Sequence, residues 1–202
     1  MCCTKSGKWK TGSDMKKLAV FDLDGTLFDT KDVNFCAYSK ALEDLGYKER
    51  IDYRYYCDYC NGASYKDFIP KILGSVTKDS LEAIHRRKME LYPSFLGKAR
   101  MNDGLFSLIR AMKGSYTVAV ATTASRKNVF DILDCFSVRD CFDFFITKED
   151  VTWVKPDPEC YLKAMEKAGV RKEDTIIFED SETGLRAAEA SGADYLRVYG
   201  FN

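Results

Sequence analysis

The chain has 202 residues, enough for one substantial hydrophobic core or for a core carrying a smaller inserted module. Apolar residues make up 46% and charged residues 31%, an ordinary globular balance, and 31 basic residues are matched by 31 acidic ones. That zero net charge excludes the broad positive field that nucleic acid or an anionic membrane surface requires, and no apolar run reaches the length of a membrane span.

Residues 1–14 are polar and lysine-bearing, read as a flexible tail, and lack the apolar stretch of a signal peptide. Cys2 and Cys3 have no hydrophobic stretch before them, so lipidation is not expected, and Met15-Lys-Lys is a natural alternative start. The first apolar run, Leu18-Ala-Val-Phe21, follows at once. From Lys31 to about Lys98 no buried strand is legible. Helical patterning prevails there, with aromatics at Tyr53, Tyr55, Tyr56, Tyr59, Tyr65 and Phe68 that read as core or cover. This is expected to be a helical insertion, residues 31–99, between core segments 15–30 and 100–202. Further apolar runs then recur: Thr117-Val-Ala-Val-Ala121, Phe142-Asp-Phe-Phe-Ile146, Thr175-Ile-Ile-Phe178 and Tyr195-Leu-Arg-Val-Tyr199. Runs of this length without strict alternation predict strands buried on both faces, as in parallel sheets.

Helices are predicted between them. Ser125 caps one through about Phe136, with Val129, Ile132 and Leu133 inward; Asp157 caps another with Pro158 at its first helical position and Gly169 as its stop; a third runs from Ser181 to Ser191 before Gly192. Alternating strand and helix predicts an α/β fold, a doubly wound parallel sheet with right-handed crossovers. The last run ends three residues before Asn202, so the expectation is a minimal core with reduced stability or an exposed edge.

Eight cysteines and a single histidine narrow the chemistry. Cys57-Asp-Tyr-Cys60 has a metal-ligand spacing, yet no second pair follows to complete four zinc ligands, and the cysteines read as reduced thiols of a cytoplasmic protein. His85, inside Glu82-Ala-Ile-His-Arg-Arg-Lys-Met, reads as a helix-surface residue, so any mechanism must run on carboxylates.

In an open parallel sheet, ligands bind beyond the carboxyl ends of the strands. Polar groups fall there four times: Asp22-Leu-Asp24-Gly-Thr, Thr122-Thr-Ala-Ser, Lys155-Pro-Asp-Pro and Glu179-Asp180-Ser. Taken singly, each has a plain explanation as a cap, a strand end or a solvated lysine; together, in this order, they describe a site. Asp22 and Asp180 are hard oxygen ligands suited to Mg2+. A carboxylate attacking a phosphate dianion meets like-charge repulsion, which Mg2+ and Lys155 offset by neutralising phosphoryl oxygens, with the Thr122 hydroxyl as a further donor. Asp24 then has a separate task, protonating the leaving oxygen and afterwards deprotonating water. Gly25 lets the chain turn sharply and bring backbone N–H groups near the phosphate.

Asp22-Leu-Asp-Gly-Thr-Leu27, Thr122, Lys155-Pro-Asp-Pro158 and Phe178-Glu-Asp-Ser-Glu-Thr-Gly-Leu-Arg-Ala-Ala188 together resemble the four signatures of the haloacid dehalogenase superfamily. The last stretch, on to Gly192, is similar to the subgroup containing β-phosphoglucomutase and phosphoglycolate-type phosphatases. The resemblance implies a Rossmann-like core with a small helical cap after the first strand. It implies an aspartyl-phosphate on Asp22 and general acid/base work by Asp24. Mg2+ would be held by Asp22, the Asp24 carbonyl and Asp180, with Glu179 supporting it directly or through water. Thr122 and Lys155 would hold the phosphoryl group.

Asp24 argues against a dehalogenase, whose halide leaving group needs no proton, and against phosphonoacetaldehyde hydrolases, which replace this aspartate and place a Schiff-base lysine in the cap, although Lys40 and Lys66 are present here. The mutases share Asp29-Thr30, but their cap histidine falls at Asn34, and the arginine of their specificity loop falls at Tyr65 within Asn61-Gly62-Ala63-Ser64-Tyr65, with Lys66 beside it. Lysine lacks the bidentate fork of arginine. The expectation is therefore a cytoplasmic Mg2+-dependent phosphatase of a small phosphorylated metabolite, with Asn61, Gly62, Ser64, Tyr65 and Lys66 as substrate-selecting residues. A sugar-phosphate mutase is the enzyme alternative, and a non-catalytic phosphate-binding regulatory protein is the alternative of another class.

Overall fold

The computed structural model describes residues 17–199 and 201, so the expected tail at 1–14, with Cys2 and Cys3, and Met15 lie outside the described residues. The chain divides into two compact units, one built from residues up to Leu27, Asn102–Arg126 and Arg139 onward, the other from Phe28–Met101 and Lys127–Val138.

The first unit contains a five-stranded sheet. In chain order its strands are β1 (Lys17–Phe21), β4 (Tyr116–Ala121), β5 (Phe144–Ile146), β6 (Thr175–Glu179) and β7 (Asp194–Arg197), arranged β5-β4-β1-β6-β7. Every pairing is parallel. The first strand in sequence is thus the middle strand in space: Phe21 pairs with Val120 on one side and Phe178 on the other. The helices α5 (Asp103–Met112), α7 (Glu159–Ala168) and α8 (Glu182–Ser191) belong to the same unit.

Because side chains alternate along a strand, each buried run feeds two faces. Leu18 and Val20, Ala119 and Ala121, and Ile177 share a cluster with Cys160, Tyr161, Ala164 and Met165 of α7 and with Ala187 and Ala188 of α8. The many alanines at this seam let helices lie close to the strands without voids. Phe21 and Phe178 stack with ring centroids 4.4 Å apart, joining neighbouring strands just before the polar strand ends.

The helix ends follow local chemistry. Asn102 Oδ1 accepts from the Leu105 N–H, and Ser181 Oγ accepts from the Gly184 N–H at 3.0 Å. Gly169 and Gly192 close α7 and α8 in left-handed geometry. Pro158 is not the first residue of α7, as its sequence suggests, but its cap. Asp157 Oδ1 accepts from the Glu159 N–H at 2.9 Å, which starts the helix one residue later. The last strand lies at the edge, paired among the described residues with β6 alone, so Tyr195 and Leu196 are 42% and 51% exposed where the apolar run predicts burial.

In the second unit, β2 (Phe28–Asp29) pairs antiparallel with β3 (Arg100–Met101), and Arg100 grips Asp29 at 2.6 Å. Between these strands the described elements are helical: α1 (Lys31–Asp44), a short turn α2 (Tyr53–Tyr55) running into a π-helical turn at Tyr56–Cys60, α3 (Tyr65–Leu73), α4 (Lys78–Leu91) and a 3-10 segment at Tyr92–Lys98. Tyr38, Leu42, Ile51, Tyr56, Phe68, Ile69 and Ile84 form the core, with Tyr38 and Phe68 meeting edge to face. Tyr53 and Tyr59 stay exposed. The helix α6 (Arg126–Cys135) groups here from Lys127 onward, and after it the Phe136 ring lies 5.1 Å from Phe28.

Replacing Ile177, fully buried between α7, α8 and β1, by alanine leaves a cavity in the cluster under the site. Ile177→Ala is expected to lower unfolding free energy by about 3 kcal/mol with an unchanged urea m-value, measured by equilibrium denaturation.

Candidate active site

The carboxyl ends of β1, β4 and β6 lie side by side because the strands pair in register. One residue beyond that register stand Asp22, Ala121 and Glu179. Lys155 joins all three: Nζ donates to Asp22 Oδ1 at 2.6 Å, to the Ala121 carbonyl at 3.1 Å and to Glu179 Oε1 at 3.4 Å. The pairing is dry, with the Lys155 and Asp22 side chains 4% and 9% exposed and Glu179 2%. A salt bridge in such surroundings is costly to break, because the abandoned partner is left charged and unsolvated.

Glu179 is held by its neighbours as well. Its Oε2 accepts from the Asp180 N–H at 2.8 Å and the Ser181 N–H at 3.5 Å, and its Oε1 accepts from Ser181 Oγ at 3.0 Å. Space for that carboxylate exists because residue 184 is glycine. A Cβ on Gly184 would fall 1.5 Å from Glu179 Oε1.

Asp180 comes from the same strand end. Its Oδ1 accepts from Thr26 Oγ1 at 2.8 Å. Its Oδ2 occupies the place of a side chain at Gly25, where a Cβ would fall 2.2 Å away, and Gly25 has φ +92, a conformation natural to glycine. Asp22, Glu179 and Asp180 each present a ligand oxygen within 4.8 Å of the others. Such a set fits a hard divalent cation on its chemistry. Three carboxylates crowd one ammonium, and with Lys155 on Asp22 Oδ1, Thr26 on Asp180 Oδ1 and Glu179 committed to protein donors, the Oδ2 atoms of Asp22 and Asp180 are the ones available to such an ion.

Electrostatics follow from this crowding. Burial pushes the Asp22 carboxyl up, Lys155 opposes that, and Glu179 and Asp180 add to it. Burial alone would discharge Lys155, but Asp22, Tyr161 and Glu179 outweigh it and hold the ammonium charged, well above its usual range. Asp180 is pushed up to about 6, chiefly by burial, with the Thr26 hydrogen bond working against it and the Glu179 charge with it. Burial likewise pushes the Cys160 thiol up to about 11, so it stays neutral and adds no further charge.

The remaining sequence-predicted residues are placed as follows. Thr122 is buried at the end of β4, donating its N–H to the Ile146 carbonyl and accepting at Oγ1 from the Ala124 N–H at 3.1 Å. Asp24 is exposed in the turn after β1. Asn61, Gly62, Ser64, Tyr65 and Lys66 lie in the second unit, around the start of α3. There Ser64 Oγ accepts from the Lys66 N–H, Gly62 has φ +78, and Tyr65 and Lys66 both reach Glu82 of α4. Tyr65 also stacks on His85 at 4.0 Å, and the histidine shares a hydrogen bond with Tyr38. His85 is therefore half-buried packing rather than a surface residue. Asn34 turns its amide to Thr30, 3.1 Å from the carbonyl and 3.2 Å from Oγ1.

Thr26, Ser181 and Gly184 fall inside the signature stretches and Tyr161 outside them, but none of the four has a contact in the site that the sequence alone assigns. One signal was present: a glycine in the first turns of a helix costs about 1 kcal/mol against alanine, and such a cost points to a close approach.

A sequence model described as haloacid dehalogenase-like hydrolase matches residues 19–198. A phosphorylated carbohydrates phosphatase of Thermotoga maritima is 30% identical over 189 residues, covering 90% of this chain and 83% of that protein. Protein CbbY of Rhodobacter capsulatus is 32% identical over 192 residues, covering 90% and 83%. Among solved structures, an aspartate-to-asparagine mutant of CbbY from Rhodobacter sphaeroides, in complex with xylulose-(1,5)bisphosphate, is similar with a TM-score of 0.80 and 28% identity, covering 93% of this chain and 88% of that one.

Gly184→Ala forces Glu179 off its donors and off Lys155, and is expected to cost about 3 kcal/mol, read as a melting point roughly 10 °C lower. For Asp180, a carboxyl raised to about 6 binds its proton more tightly folded than unfolded, so that contribution to stability is full below the ordinary carboxylate range and lost as pH rises through about 6. In chelator, Asp180→Asn is expected to melt above wild type at pH 7.5, with the gap closing toward pH 5. Added Mg2+ is expected to reverse the order at pH 7.5 by stabilising wild type alone.

Proposed function

The chain belongs to the haloacid dehalogenase-like hydrolases, as a member of their phosphatase kind, and from that premise we propose that it is a Mg2+-dependent phosphatase of small phosphorylated sugars working through an aspartyl-phosphate on Asp22. The observation that carries this reading is the Asp22–Lys155 pair, buried at 2.6 Å among the carboxylates of Glu179 and Asp180 at the end of the central strand.

The proposed chemistry uses these side chains in turn. Lys155 and Thr122 bind the phosphoryl oxygens and draw off their charge. An oxygen of Asp22 forms a bond to phosphorus while the bond from phosphorus to the sugar oxygen breaks, and Asp24 gives that oxygen its proton. Water then attacks phosphorus, Asp24 takes its proton back, inorganic phosphate leaves and the Asp22 carboxylate is restored. Asp22, the Asp24 carbonyl and Asp180 would hold Mg2+, which supplies further neutralisation of the phosphoryl oxygens, and Glu179 would support it from its network of protein donors. Asn61, Gly62, Ser64, Tyr65 and Lys66 are proposed to select the substrate.

The sugar class rests on the relatives: one is named for phosphorylated carbohydrates and another holds a pentulose bisphosphate. Asn34, turned to Thr30 at the start of α1, gives a mutase's proton-transfer role no support.

The test is phosphate release from a panel of sugar phosphates, with and without Mg2+, including β-glucose 1-phosphate with a bisphosphate activator. Mg2+-dependent release from sugar phosphates is expected. Isomerisation without free phosphate would instead identify a mutase. Asp22→Asn is expected to lose turnover by at least about 1000-fold while folding normally, and unchanged turnover would overturn the mechanism.

A further inference from the structure

Lys155 has a fourth neighbour beyond its hydrogen-bond acceptors. Its Nζ lies 4.9 Å from the ring centroid of Tyr161, within the range where an ammonium is attracted to an aromatic face. Tyr161 is fully buried in the first turn of α7, its N–H donating to the Pro158 carbonyl, and its ring belongs to the cluster that contains Ala121, Ile146 and Ala164. Its hydroxyl is buried with no hydrogen-bond partner among the described residues. A phenol that leaves its oxygen unpaired forfeits free energy that phenylalanine would not, so this position draws on the ring.

An ammonium has three N–H donors, and Lys155 directs them at Asp22, Ala121 and Glu179. To hold a phosphoryl oxygen it must redirect at least one of them. Its shortest contact is also to the group that reacts, since the Asp22 carboxylate gives up its negative charge while it is a mixed anhydride with phosphate. The attraction of a ring face is to the whole charge and does not depend on where each N–H points. It therefore persists while the hydrogen bonds change hands.

We propose that Tyr161 is a positioning residue whose ring face, not its hydroxyl, keeps the Lys155 ammonium at the strand ends while its N–H bonds pass between Asp22 and the transferring phosphoryl group. This deepens the phosphatase reading and rests on it for the catalytic consequence.

The experiment compares Tyr161→Phe, Tyr161→Leu and a series of increasingly fluorinated phenylalanines at position 161, which keeps the ring shape while draining its electron density. Turnover of p-nitrophenyl phosphate and binding of orthovanadate, both with Mg2+, are measured beside Mg2+ binding alone. Tyr161→Phe is expected to match wild type in both readouts and to melt at or above it. The fluorinated series should lose kcat/KM and vanadate affinity stepwise, and Tyr161→Leu should lose on the order of ten-fold, with Mg2+ affinity unmoved. In a Lys155→Ala background, Tyr161→Leu should change vanadate binding no further. The proposal is overturned by a flat fluorinated series, by Phe losing as much as Leu, or by a Leu effect that persists without Lys155. The phosphatase reading fails separately: wild type would turn over no phosphate ester, while vanadate binding would still follow the fluorinated series.

Discussion

One buried ammonium ties this structure's chemistry to its architecture. Lys155 Nζ spans the ends of three adjacent strands, reaching Asp22 after β1, Ala121 at the end of β4 and Glu179 at the end of β6. In water each of these contacts would be worth little. In a site where these side chains are nearly inaccessible, no contact can be dropped without leaving a charge unsolvated, and so the loop carrying Lys155 is fixed to the sheet as firmly as a strand.

The scaffold supplies the exactness that this arrangement demands. Parallel pairing in register brings the three strand ends to one level, and the stacked rings of Phe21 and Phe178 lock two of them immediately beneath. Two glycines then make room. Without Gly25 the Asp180 carboxylate has no place, and without Gly184 the Glu179 carboxylate has none. The same carboxylates that a divalent cation would need are thus held close to one another by backbone and hydroxyl donors, against their mutual repulsion.

The sequence made the architecture and the principal side chains legible because each depends on local information. Short apolar runs closed by polar residues mark buried parallel strands, and polar residues just past those runs must lie at the ligand-binding edge, which is how Asp22, Thr122, Lys155, Glu179 and Asp180 came forward. What stayed hidden depends on contacts between distant segments. Thr26 matters through Asp180, Gly184 through the volume of Glu179, and Tyr161 through an ammonium six residues earlier in the chain. The exposure of Tyr195 and Leu196 has the same origin: they carry the pattern of a buried strand, but burial is set by position in the sheet, and β7 lies at its edge. His85 looked like a surface residue because its stacking partner, Tyr65, comes from another helix.

The strand order has a consequence for how the molecule is made. The strand that leads into Asp22 is made well before its neighbours in the sheet, β4 and β6, whose pairing residues begin at Tyr116 and Thr175. Throughout synthesis of the helical unit, β1 is an apolar segment with both hydrogen-bonding edges open, the condition in which nascent chains aggregate or recruit chaperones. Its second edge closes only once the chain has reached Thr175 and beyond. The Asp22 carboxylate, at the heart of the sheet, therefore waits for neighbours that are made long after it.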